Sequence, residues 1–287
     1  MATLRLHVFN TGWVSVQERQ LYVGGGSDTR TLPVLSFAIE HAQGLVVFDA
    51  GLSTAFATHP RQYAGWLNER VCRFRSLPGM HLSQQMKDQG LDPQDVTHVV
   101  LSHLHYDHTG DLCAFARARV SVSRQEWEAA QAPLSPLQGY LPREFAQAKW
   151  VPLDFATDVS PSLSDIAQHL YGHDLMADGT LVVVPTFGHT PGHQSLLAFL
   201  PRGVALLAGD AVYAAEGYTK PAAQPHPRCA DLAWRGLIGL RALSKGDPKA
   251  LIVPSHDDRV LHGLERDDVV VHDTHGPPAI AVSARMR

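Results

Sequence analysis

The sequence predicts a layered domain of mixed strands and helices, in the α/β or α+β class, on three observations. Apolar runs of strand length recur in both halves, at residues 45–48, 99–101, 181–186, 195–200, 204–208 and 251–253. Runs that short and rich in Val, Ile and Leu fit buried strands better than helices. Stretches of helical pattern fall between them, at 80–90, 124–131 and 231–244, and this mixing points to a layered arrangement. Finally, 45% of the 287 residues are hydrophobic, enough for a substantial core, and there is no repeat or low-complexity tract.

Taken in order, residues 3–9 alternate as a strand, and 10–32 read as a loop around Gly24-Gly25-Gly26. That glycine run lacks the Gly-Lys-Ser/Thr of a phosphate loop. Residues 33–40 and 45–48 form a hairpin by composition, ending at Asp49-Ala50-Gly51. Residues 54–76, with Phe56, Tyr63, Trp66 and Phe74, read as an irregular or helical insertion able to line a cleft. The helix at 80–90 stops at Gly90, and Asp92-Pro93 turns the chain into the strand ending at Leu101. After a short strand at 119–122, Ser123 and Glu126 have the spacing of a capping box that opens the helix at 124–131. Residues 133–165 lack a period and read as a surface segment over the site. The run at 251–253 reads as the last strand, followed by a polar tail containing His272 and His275, expected to be solvated.

Composition narrows the function classes. The formal charge is −4 and the pI about 6.5, with Lys and Arg scattered, so no nucleic-acid surface is expected. No window approaches the roughly 18 apolar residues of a membrane span, and the first residues carry no signal-peptide pattern. Cys72, Cys113 and Cys229 are odd in number and far apart, which predicts free thiols and a cytoplasmic protein.

The chemistry is concentrated at residues 97–112, T-H-V-V-L-S-H-L-H-Y-D-H-T-G-D-L. His103 and His105 alternate on one face of an extended segment, and a turn brings Asp107 and His108 in from another side. Imidazole and carboxylate suit zinc, and also iron, cobalt or manganese. Three further candidates each follow an apolar strand: His189, Asp210 and His256. Seven ligands exceed one tetrahedral zinc but suit two metals. They divide as His103, His105 and His189 for one and Asp107, His108 and His256 for the other, with Asp210 bridging. Asp49, at a strand end, reads as an acceptor that orients a metal-bound histidine, and His193 as an orienting or structural residue. His169 and His173, four apart, lack the glutamate of an H-E-x-x-H site.

The motifs H-L-H-Y-D-H, G-H-T-P-G-H-Q-S, A-G-D and S-H-D, in this order and with Asp49 before them, resemble the metallo-β-lactamase superfamily over roughly residues 34–257. The stretches G-H-T-P-G-H-Q-S-L and A-G-D-A-V-Y are most similar to its N-acyl-homoserine lactonases, the quorum-quenching lactonase branch. The resemblance implies a four-layered αβ/βα sandwich, two mixed β-sheets flanked by helices, as one domain over residues 1–287. It also implies two divalent ions, zinc first, and a tyrosine three residues after the bridging aspartate, here Tyr213, that contacts the substrate. The expected reaction is lactone opening by a metal-bridging hydroxide, with Tyr213 assisting the oxyanion and Asp107 or a metal-bound water protonating the leaving alkoxide. The partner is a small lactone or ester; a homodimer is left open. The alternative is another ester, thioester or phosphotriester hydrolase of the superfamily, glyoxalase-like or acting on aryl esters or organophosphates. A β-lactamase proper is disfavoured because that class lacks the bridging aspartate. A flavodiiron protein would need an acidic ligand in place of His105. A degraded, non-enzymatic fold would have lost ligands. No G-x-S-x-G elbow supports a serine route.

Overall fold

The structure, a computed structural model, describes residues 4–155, 172–219, 230–247, 249–264 and 266–272. Its strands are β1 (Arg5–Gln17), β2 (Thr29–His41), β3 (Gly44–Phe48), β4 (Arg73–Arg75), β5 (Val96–Val100), β6 (Arg119–Ser123), β7 (Trp150–Leu153), β8 (His173–Asp174), β9 (Leu181–Pro185), β10 (Gln194–Leu200), β11 (Gly203–Gly209), β12 (Leu251–Pro254) and β13 (Val269–His272). They form two sheets. The larger runs β13-β1-β2-β3-β5-β6-β7, with β4 added to β1; the smaller runs β12-β11-β10-β9-β8. Both are mixed. In the larger, β3, β5, β6 and β7 are parallel and β1, β2 and β3 antiparallel; in the smaller, β11 and β12 are parallel and the rest antiparallel.

Side-chain alternation explains the layering. On β1, Leu6 and Val8 face the second sheet, while Phe9 faces outward; on β3, Val46 and Phe48 face inward and Val47 outward. The inner residues meet Leu196, Ala198, Ala205, Leu207 and Val253 of the smaller sheet in one core. On the outer face of the larger sheet, Val47, Val99 and Val120 pack against Leu82 and Met86, which lie on the helix Leu82–Asp88. On the outer face of the smaller sheet, Val182, Leu197 and Ile252 pack against Leu237 and Leu240 of the helix Ala230–Gly246. Strands buried on both faces must be apolar at every position, which is why they read as uninterrupted runs. The four layers are those the sequence resemblance implied.

The expectations fail in several places. The turn expected at Gly24–Asp28 falls in a loop over residues 22–28, but the rest of 10–32 is the second half of β1, a short helix at Glu18–Leu21 and the start of β2. Asn-Thr-Gly hides the strand because the register shifts between Asn10 and Trp13, a bulge that bends it. Gly12 is required there: a Cβ would lie 2.5 Å from the Arg75 carbonyl oxygen on β4. The insertion at 54–76 is helical as expected over its three short helices, and only β4 is added to that reading. The segment at 133–165 is not wholly a surface cover, since β7 completes the edge of the larger sheet; residues 156–165 lie outside the described residues. The last strand is not 251–253. Val269–His272 pairs in parallel with β1, so His272 is not a solvated tail residue. It stacks on Phe9 at 4.6 Å and hydrogen-bonds His7 at 3.0 Å. No helix among the described residues is long and apolar enough to cross a membrane.

Candidate metal centre

The strand ends converge at one edge of the two sheets. Among the described residues, two groups of side chains bring potential ligand atoms within 4.8 Å of one another: His103, His105 and His189, and Asp107, His108, Asp210 and His256. All seven candidates of the sequence reading fall in these two groups, with Asp210 in the second. His103 Nε2 lies 2.9 Å from His105 Nδ1, and His189 Nε2 lies 3.2 Å from both. Asp210 lies between the groups. Its Oδ2 is 3.4 Å from His189 Nε2, and its Oδ1 is 3.5 Å from His108 Nε2 and 3.4 Å from His256 Nε2. Asp107 Oδ2 is 3.4 Å from His108 Nε2 and 3.5 Å from His256 Nε2.

The outer nitrogens are held by the surrounding chain. Buried Asp49 accepts from the Ser102 amide at 2.7 Å and the Ser102 hydroxyl at 2.8 Å, and its Oδ2 sits 2.8 Å from His108 Nδ1. Ser102 Oγ is 3.0 Å from His103 Nδ1. His256 Nδ1 donates to the Pro33 carbonyl at 2.8 Å, and His189 Nδ1 faces the Tyr213 hydroxyl at 3.1 Å. Protons on these Nδ1 atoms leave the Nε2 lone pairs aimed inward, the arrangement in which an imidazole binds a metal. His193 faces elsewhere: its Nε2 accepts the Asp210 amide at 2.9 Å and its Nδ1 meets Thr186 Oγ1 at 2.8 Å. It fixes the backbone of Asp210 rather than a ligand ring.

Burial sets the electrostatics. It pushes His103 well below its ordinary value, helped by His108, His105 and His189, and takes His189 down to about 3 against the pull of Asp210. Those imidazoles are neutral, as metal binding requires. At the other group burial opposes protonation, yet Asp210 and Asp107 carry His256 up to about 10, so without a cation its Nε2 holds a proton that metal binding would displace. Asp107 and Asp210 stay below the ordinary carboxylate range because His108 and His256 outweigh burial.

The residues fit two divalent cations. Among the described residues buried His108 Nε2 makes no well-formed hydrogen bond, with only the Asp107 and Asp210 oxygens near it at 3.4 and 3.5 Å, an arrangement an ion would satisfy. Tetrahedral zinc with Zn–N of about 2.0–2.1 Å separates its nitrogen ligands by about 3.3 Å, close to the spacing of the three-histidine group. The site opens into a cavity of about 330 Å³. Asp107, His189, Asp210, Tyr213 and His256 form its polar end; Val14, Val16, Leu21, Cys72 and Phe74 form an apolar wall, with Leu137 and Gly139 beside it.

Three contributors carry no signal of this role in the sequence. Ser102 is a small polar residue at a strand end, the Pro33 carbonyl is a backbone atom with no residue-type signal, and Glu126 has the spacing of a capping box. The Ser123 hydroxyl does accept the Glu126 amide at 3.0 Å, but the Glu126 carboxylate turns away to the Leu104 and Gly192 amides. Of the other histidines, His173 lies on β8, while His169 and His275 lie outside the described residues.

Residues 29–256 match the metallo-beta-lactamase superfamily, and the chain belongs to it. Within it, the chain is 34% identical over 232 residues to the N-acyl homoserine lactonase AttM of Azorhizobium caulinodans, covering 77% of this chain and 81% of the relative. It is 28% identical over 194 residues to the N-acyl homoserine lactonase AiiA of Bacillus thuringiensis subsp. kurstaki, covering 65% and 67%. The fold is similar to that of an N-acyl homoserine lactone hydrolase solved with the product N-hexanoyl-L-homoserine at its catalytic metal center. The TM-score is 0.77 at 21% identity, covering 92% of this chain and 98% of the other. It is also similar to AidC, a dizinc quorum-quenching lactonase, with a TM-score of 0.62 at 15% identity, covering 89% and 88%.

Proposed function

We propose that this chain is a dinuclear metal-dependent lactonase that opens N-acyl-homoserine lactones. One observation carries the reading: two candidate ligand groups adjoin at Asp210, whose oxygens lie 3.4 Å from His189 Nε2 and 3.4 Å from His256 Nε2, at a cavity also lined by the apolar Val14, Val16, Leu21 and Phe74. A relative named as a lactonase, 34% identical, supports the substrate class.

His103 Nε2, His105 Nδ1 and His189 Nε2 would hold one ion, Asp107, His108 Nε2 and His256 Nε2 the other, and Asp210 both. A pair of divalent ions bound there supplies an activated water nucleophile and Lewis-acid polarisation of the ester carbonyl. The protein's own groups do the rest. Val14, Val16, Leu21 and Phe74 take the acyl chain and exclude water from the polar end. Tyr213 accepts the His189 Nδ1 proton, which leaves its own O–H to donate to the substrate oxygen that gains charge. Burial holds that hydroxyl well above the ordinary tyrosine value, so it stays a donor. Asp107 faces the cavity as a carboxylate, so it would first take a proton from the attacking water and then hand that proton to the departing alkoxide.

The test is a pH-stat screen of acyl-homoserine lactones, simple lactones, thioesters, β-lactams and phosphotriesters on metal-loaded protein, with metal analysis in parallel. The expectation is about two equivalents of metal and the highest kcat/KM on an acyl-homoserine lactone. One equivalent or fewer in active protein overturns the dinuclear reading, and preferential turnover of another ester class overturns the substrate.

A further inference from the structure

Glu126 is fully buried, yet among the described residues the groups that bond its carboxylate are backbone amides and hydroxyls rather than a cation. Burying an ionised carboxylate without a counter-charge is expensive. Burial pushes its pKa up, while the Thr190 hydroxyl, the Leu104 and Gly192 amides and the Tyr140 hydroxyl pull it back. A capping role would not explain the position, because the carboxylate does not turn back to the start of its own helix.

Its partners do explain it. Oε1 accepts the Leu104 amide at 3.0 Å, and Oε2 accepts the Gly192 amide at 3.2 Å. Leu104 lies between His103 and His105. Gly192 closes the turn that leaves His189, and its carbonyl accepts the Ser123 hydroxyl at 2.6 Å. The turn is seated directly on the helix start: a Cβ at Gly192 would lie 2.1 Å from the Glu126 amide nitrogen and 2.2 Å from Ser123 Oγ. One carboxylate thus joins a loop of the larger sheet to a loop of the smaller one, and those loops carry the three histidines whose nitrogens converge.

We propose that Glu126 is a positioning residue that splints the two loops and so sets the spacing of His103, His105 and His189. The proposal rests on the reading that these three histidines hold a metal ion. Glu126→Gln keeps the shape and one acceptor but turns an NH2 toward the second amide, releasing one loop. Glu126→Ala releases both, and Glu128→Gln, exposed on the same helix, serves as control.

Metal release from the loaded protein to a competing chelator should be biphasic in Glu126→Gln. One equivalent should leave about 10- to 100-fold more readily than in the wild type, with the other unchanged, kcat reduced, and the thermal midpoint in excess chelator close to wild type. Glu128→Gln should behave as the wild type. Release of both equivalents as in the wild type, or equal weakening of both together with a fallen midpoint, overturns the proposal. Amide exchange followed by NMR reads the splint whatever the metal content: the Leu104 and Gly192 amides should be protected in the wild type, and at least one should exchange faster in Glu126→Gln. Equal protection overturns it. A wild type that binds no metal would refute the metal reading alone.

Discussion

At the scale of single residues, Asp49 shows how much one side chain can be asked to hold. Among the described residues it is one of two non-glycine residues with positive φ, at 58°, a conformation costing of order 1–2 kcal/mol that Asp tolerates better than most. Three hydrogen bonds to Ser102 and His108 keep it there. Asp49→Ala leaves buried donors unmatched, a loss of about 1–3 kcal/mol for each, and should weaken metal binding about 10- to 100-fold in a protein that still folds. Chelator competition alongside urea unfolding checks both; unchanged metal affinity would reduce Asp49 to a turn residue. Tyr213 has two tasks that can be separated. Tyr213→Phe removes the partner of His189 Nδ1 as well as the donor. Metal affinity should therefore fall, and even with metal in excess the lactone rate should remain down by roughly 10²-fold. A wild-type rate in saturating metal would leave the hydroxyl with no catalytic part. Cys72, in the cavity wall, has its thiol pushed up to about 12 by burial, then by Asp107 and Asp210. At pH 8 its thiolate fraction is about one in ten thousand, so iodoacetamide should label exposed Cys113 long before Cys72. Labelling of Cys72 first would mean that the wall opens.

At the scale of elements, β13 makes its own prediction. Burial and His7 push His272 down to about 4, below the ordinary 6.5. The unfolded chain therefore takes up a proton that the folded chain refuses between those values, and stability falls as pH drops from about 6.5 to about 4. His272→Ala should remove that part of the acid sensitivity and leave lactone turnover unchanged; identical pH profiles of the thermal midpoint would refute it. The same strand shows where the sequence stops being legible. The runs Val99–Leu101 and Leu181–Val184 announce themselves because both faces are buried and every position is apolar. Val269–His272 is short, follows two aspartates and ends in histidine, and only its pairing with β1 makes it a strand. β1 itself is hidden past Asn10 because a bulge breaks the alternation. The candidate ligands are legible because chemistry fixes their residue types. Their supports are not, because Ser102, Glu126 and the Pro33 carbonyl act through contacts that only the folded chain creates.

At the scale of the molecule, the core between the sheets and the metal site are separable. Leu196, fully buried between the sheets, belongs to neither ligand group. Leu196→Ala should cost about 2–5 kcal/mol of stability, read by denaturant unfolding, with metal stoichiometry unchanged. A loss of metal in the folded variant would show that the sheets cannot be loosened without disturbing their edge.

That edge has a consequence for how the protein withstands heat. Asp49 and residues 103–108 come from the larger sheet, while His189, Asp210 and His256 come from the smaller. On the dinuclear reading each ion rivets one sheet to the other across the rim of the sandwich. An unfolded chain cannot present that constellation, so every occupied site draws the equilibrium toward the native state by mass action. At free metal a thousand times the dissociation constant, each site contributes about 4 kcal/mol, a large share of the roughly 5–15 kcal/mol that holds a typical protein together. The melting temperature should then rise with the logarithm of free metal and fall in chelator. Starvation for metal would thus thin the population of folded molecules as well as silence the site.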